Sequence, residues 1–250
     1  MQLGGIAPRE VVGLVREARR AADTNATLVV TGVLAAELTR ALGGQVARVG
    51  GDPSGATALL VLLAGAATTE DEHAMRAAAR ARVPIVAVQI DPRAGDRPLS
   101  YVPADAVVTC PPGHGFPFDE IGAALTRELG SDVVPIAARA DVLRTAIVDE
   151  LVRRAAIRAG IIGALPWRKG ADFPALATLQ ARLVLDIAAA HGQPIGQERA
   201  PELAAVAGSG LGIRSVVRRL PTRVPLVGAI TGYLATRALG EAAARRFASG

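Results

Sequence analysis

Cysteine, histidine and lysine are all scarce in this chain, and each scarcity closes off some chemistry. The single cysteine, Cys110, excludes an internal disulfide and any cysteine-built zinc site. The three histidines, His73, His114 and His191, stand far apart and offer no metal-ligand spacing. Lys169 is the only lysine. Aromatic residues make up 3% of the sequence, so its apolar half is mainly Ala, Val, Leu and Ile. No apolar run reaches the roughly 18 residues needed to cross a bilayer. The longest uncharged stretch of the second half, 224–236, contains Pro225. A simple spanning helix is therefore not expected, while shallow or partial insertion stays open. The N-terminus carries no basic-then-apolar signal, which makes the cytoplasm the expected compartment. No metal and no cofactor is expected.

What the chain does have is an uneven charge. Residues 1–138 hold 12 Arg against 15 Asp and Glu, net −3, whereas residues 139–250 hold 15 Arg and one Lys against 8 acids, net +8. The second half is thus suited to an anionic surface: a membrane, a nucleic acid or an acidic partner. A solvated arginine-rich surface explains the same count. Nucleic acid is not the expected partner, because lysine-rich arms and aromatic stacking platforms are missing.

Short apolar runs mark buried parallel strands at 27–31, 45–49, 58–63, 84–90 and 106–110. Helical periodicity fills the gaps at 33–42, 70–82 and 119–129, and precedes them at 8–22, where Val11, Val12, Val15 and Ala18 share a side. Alternation of this kind predicts a parallel sheet with helices on both faces. From Arg139 onward only helices are expected. The first, about 142–165, carries the stripe Leu143, Ile147, Leu151 and Ala155. The second, 172–190, carries Leu176, Leu179, Leu183 and Ile187, with Gln180, Arg182 and Asp186 off that stripe. A third begins near Pro201 and carries Val206, Gly210, Ile213, Val217 and Leu220, and a fourth spans 226–247. The sequence therefore divides into an α/β domain, 1–138, and an all-α domain, 139–250.

Several ordered segments of the second half carry a resemblance. Asp172-Phe-Pro-Ala-Leu-Ala-Thr-Leu-Gln180 and Ile187-Ala-Ala-Ala-His-Gly192 come first, followed by Gly208-Ser-Gly-Leu-Gly-Ile-Arg214, Val224-Pro-Leu-Val-Gly228 and Thr236-Arg-Ala-Leu-Gly240. Together they resemble a GTPase-associated helical family that includes the YcjF-like proteins, over roughly residues 140–248. The resemblance implies fusion to, or company with, Era-like GTPase domains and an association with membranes. It implies no molecular activity.

It also prompts a comparison of the first half with a shortened Era-like GTPase domain. Thr68-Thr-Glu-Asp-Glu72 followed by Val83-Pro-Ile-Val-Ala-Val-Gln-Ile-Asp91 is similar to the approach to a guanine-specificity motif. Val108-Thr-Cys-Pro-Pro-Gly-His-Gly115 resembles the loop that follows it. The phosphate loop does not survive. That chemistry needs glycines to bring backbone N–H groups around phosphates, a Lys for the terminal charges and a Ser/Thr for Mg²⁺. Gly32-Val-Leu-Ala-Ala-Glu-Leu-Thr39 keeps the first glycine and the final Thr, but places Glu37 at the second glycine and Leu38 at the lysine. In the guanine motif Asp91 remains, while Val88 and Gln89 replace the Asn-Lys pair.

A vestigial nucleotide site would comprise Gly32, Thr39, Asp91, Thr109 and Cys110. Gly32 could also meet a dinucleotide pyrophosphate at a helix N-terminus, or merely end a strand. The glycine pairs at 43–44 and 50–51 read as a helix stop and a turn. Cys110 with His114 is a conceivable nucleophile pair; the duller reading is a buried strand-end thiol beside a rigid Pro-Pro-Gly loop. Asp91 and Asp96 read as solvated loop carboxylates. Trp167, Arg168 and Lys169 form an interfacial aromatic-plus-basic pattern or an interdomain anchor. Arg214, Arg218, Arg219 and Arg223 form an anionic-surface cluster or a solvated helix face. The function expected from all this is a non-catalytic adaptor, a pseudo-GTPase domain joined to a GTPase-associated helical domain, binding a partner GTPase or the inner membrane surface. The alternative is an enzyme or sensor that binds a nucleotide at the carboxyl ends of its Rossmann-like strands.

Overall fold

The computed structural model describes residues 8–91, 99–165, 173–193 and 225–248. These fall into two compact units, Thr24–Glu150 and a second that combines the first helix with the chain from Leu151 onward. The units are drawn differently from the sequence division at 138/139. The first helix, α1 (Pro8–Asp23), goes with the helical unit, and the passage between units lies inside one long helix.

The α/β unit holds five parallel strands in the order β2-β1-β3-β4-β5. They are β1 (Leu28–Gly32), β2 (Ala47–Val49), β3 (Ala58–Ala64), β4 (Ile85–Ile90) and β5 (Val107–Cys110). Each falls on an apolar run read from the sequence. The connections carry α2 (Ala35–Leu42) and α3 (Thr69–Arg80), and after β5 come α4 (Phe118–Leu129) and the short α5 (Val134–Ala137). This is a Rossmann-like α/β fold. β3 is buried from Ala58 through Leu63, as a strand covered on both faces must be. On one side Val29, Leu59, Val61, Leu63 and Ile85 pack with Met75, Ala78 and Val83 of α3 and its exit.

Helix ends follow local chemistry. Gly43 stops α2 with φ +86 and donates its N–H to Arg40 O at 3.3 Å, which bears out the helix-stop reading. α3 begins with a capping box. The Thr68 hydroxyl accepts from the Asp71 N–H at 3.2 Å, while the Asp71 carboxylate accepts from the Thr68 N–H at 3.0 Å and its hydroxyl at 2.7 Å. Such caps are worth about 1 kcal/mol. Asp71 is thereby buried, although its sequence neighbours Glu70 and Glu72 show only the dipole-favoured acid cluster.

The helical unit contains α1, the part of α6 (Asp141–Ala164) beyond Glu150, α7 (Phe173–Ala190) and α8 (Pro225–Ala248), with no strand among its described residues. The third helix expected from near Pro201 lies outside the described residues. α7 packs against both α1 and α8. That two-sided cover corrects a one-stripe view of it: Leu183 and Ile187 are buried as expected, but so are Val184, Leu185, Gln180 and Asp186. Gln180 Nε2 donates to Thr236 Oγ1 of α8 at 3.0 Å, so a buried amide is matched by a buried hydroxyl. Arg182 is exposed and pairs with Glu17 of α1 at 3.1 Å. On α1, Val15 and Ala18 are buried while Val12 is exposed, so the buried face is narrower than the sequence pattern suggested.

α6 and α8 run antiparallel at backbone contact. A Cβ built on Gly163 would lie 2.3 Å from Gly228 O, and one on Gly228 would lie 2.2 Å from Gly163 O. Farther along, a Cβ on Gly232 would meet Ala159 O at 2.5 Å and one on Gly240 would meet a Val152 methyl at 2.6 Å. No larger residue fits this seam without parting the helices. Gly163→Val is expected to cost about 3 kcal/mol, the upper end of overpacking penalties, read as a lowered thermal midpoint. Gly44→Ala, where a Cβ meets nothing within 4 Å, is the near-neutral control.

The buried amide gives a second expectation. Thr236→Val leaves the Gln180 amide without its partner and should cost about 1–3 kcal/mol in urea unfolding. The double variant Gln180→Met, Thr236→Val should recover most of that loss. Additive losses would refute the pairing as the cause.

Candidate functional site

In an open parallel sheet, ligands meet the loops at the carboxyl ends of the strands, above all where the chain leaves the first strand in opposite directions. Here that switch lies between β1 and β3. Gly32 ends β1 with φ +89, and the Val33 N–H donates to Leu62 O at 3.0 Å. A Cβ on Gly32 would lie 2.0 Å from that same Leu62 O. Its glycine is accounted for by strand-to-strand approach, which leaves nothing over that needs a phosphate.

The turn after Gly32 is too short to wrap one. Only Val33 and Leu34 separate β1 from α2, and both are exposed apolar residues. Leu34 adopts φ +56 and supplies no side-chain cap to α2. Glu37 is exposed in the first turn, where its charge complements the helix dipole and repels an anion. Leu38, at the lysine position of the phosphate-loop alignment, is fully buried and points into the core. Thr39 lies a turn into the helix, its hydroxyl buried without a hydrogen-bond partner, as is that of Thr31 at the end of β1. These residues do not fit a Mg²⁺-nucleotide held by a phosphate loop.

At the other end of the sheet, the register of β4 and β5 aligns Gln89 with Thr109 and Ile90 with Cys110. Asp91 follows directly, with φ +52, and its N–H donates to Cys110 O at 3.1 Å. Asp91, Thr109 and Cys110 are therefore brought together, with Asp91 and Thr109 exposed. Gly32 stands apart from them across β3, and Thr39 apart on α2.

Cys110 and His114 do not form a nucleophile pair. The Cys110 thiol donates to Gly115 O at 3.2 Å, and His114 Nδ1 lies 3.1 Å from Pro112 O. Burial raises the thiol above its ordinary range, the reverse of what an activated cysteine requires. Asp96 lies outside the described residues. So do Trp167, Arg168, Lys169, Arg214, Arg218, Arg219 and Arg223. Among the described residues no cluster of three or more His, Cys, Asp or Glu is placed to hold a metal.

Sequence reasoning missed the Thr68–Asp71 box, although its T-x-x-D spacing was legible. It also missed the left-handed Leu34 and Asp91; leucine rarely takes that conformation, and aspartate, which tolerates it, takes it in only a minority of places. No family model, curated protein or solved structure matches the chain. The class that can be stated is the one the fold defines: a Rossmann-like α/β unit with a helical unit.

Cys110 gives a direct check. Its raised value means the native state favours the neutral thiol, a contribution present below the ordinary thiol range and lost as pH rises through the raised value. Alkylation at neutral pH should be slow in the native chain and fast after unfolding. Rapid native labelling at pH 7 would contradict a buried, hydrogen-bonded thiol.

Proposed function

We propose that this chain is a non-catalytic adaptor: a degenerate GTPase-like α/β unit joined to a GTPase-associated helical unit that binds a partner, either a true GTPase or the inner membrane surface. The observation that carries the first half of this reading is Leu38. The side chain at the lysine position is core, so a cation there would have to leave the interior or be buried at a cost of several kcal/mol. Glu37 adds a like charge beside any phosphate, and the two-residue turn between β1 and α2 supplies few N–H groups. The positive balance of residues 139–250 supports the second half. Trp167, Arg168, Lys169 and the arginines at 214, 218, 219 and 223 add to that balance by composition.

A nucleotide-binding enzyme or sensor remains the second reading, for one reason. Leu34 and Asp91 both hold left-handed backbone at the carboxyl ends of strands, where such strain gathers at ligand sites. Nucleotide separates the two. A ligand at a hundred times its Kd stabilises the native state by about 2.7 kcal/mol, a plain rise in melting temperature.

The adaptor reading expects no rise with GTP, ATP or NAD and no hydrolysis above background. Loss of one positioned transition-state contact costs about 10²–10³ in rate, and here the Lys is gone and a carboxylate added. Activity that co-purifies and vanishes in Thr39→Val would overturn the proposal. Activity unchanged in that variant identifies a contaminant. Gly32 is unsuited to this test because its substitution collides with Leu62 O.

A further inference from the structure

We draw no further inference here: the strongest candidate, the exposed aliphatic end of the α6–α8 pair formed by Ile157, Ile161, Leu165, Leu226, Ile230 and Leu234, adjoins residues outside those described, and nothing in the structure shows what covers it.

Discussion

Close backbone approach is the constraint on which both units depend. With few aromatic side chains to fill space, layers built from Ala, Val, Leu and Ile reach interior density only by drawing elements together. The consequence is visible wherever a Cβ is missing. Gly32 lets β1 lie against Leu62 O, Gly122 of α4 lets the start of α6 settle with Ala146, and Gly163 meets Gly228 between α6 and α8. Each contact trades side-chain volume for helix or strand proximity, and each makes its position intolerant of growth.

The same economy of space shapes the strand ends. A phosphate loop is a detour of backbone between strand and helix, made so that N–H groups can surround an anion. In this chain the detour is absent: β1 passes into α2 in two residues, and the helix plants Leu38 in the core. What remains at the carboxyl edge is a set of backbone conformations and one buried thiol. Asp91, Thr109 and Cys110 are neighbours because β4 and β5 are in register, and that neighbourhood needs no ligand to account for it.

In the helical unit the buried amide and the surface ion pair follow different rules. Gln180 and Thr236 are buried together, because a lone amide or hydroxyl inside would cost more than the bond returns. Glu17 and Arg182 pair outside, where solvent screens them. The exposed aliphatic rows of α6 and α8 follow neither rule.

Much of the fold was legible in the residues themselves. Five apolar runs became five parallel strands, Gly43 ended a helix, and the stripe Leu143, Ile147, Leu151 and Ala155 is buried. Runs and stripes are read easily because burial of a strand or helix face depends on local periodicity. That no lysine follows Gly32 at a phosphate-loop spacing was also legible, since it is a matter of residue identity. What the sequence could not decide was which surfaces meet. α1 reads as the start of the α/β domain, yet it packs on α7, and Gln180 reads as a polar position off a stripe, yet α8 covers it. A glycine in a helix pattern looks like a weakness until another backbone is found 2.3 Å from its absent Cβ. Periodicity states that a face will be buried; only the tertiary structure states against what, because contact between distant segments is a property of their joint geometry.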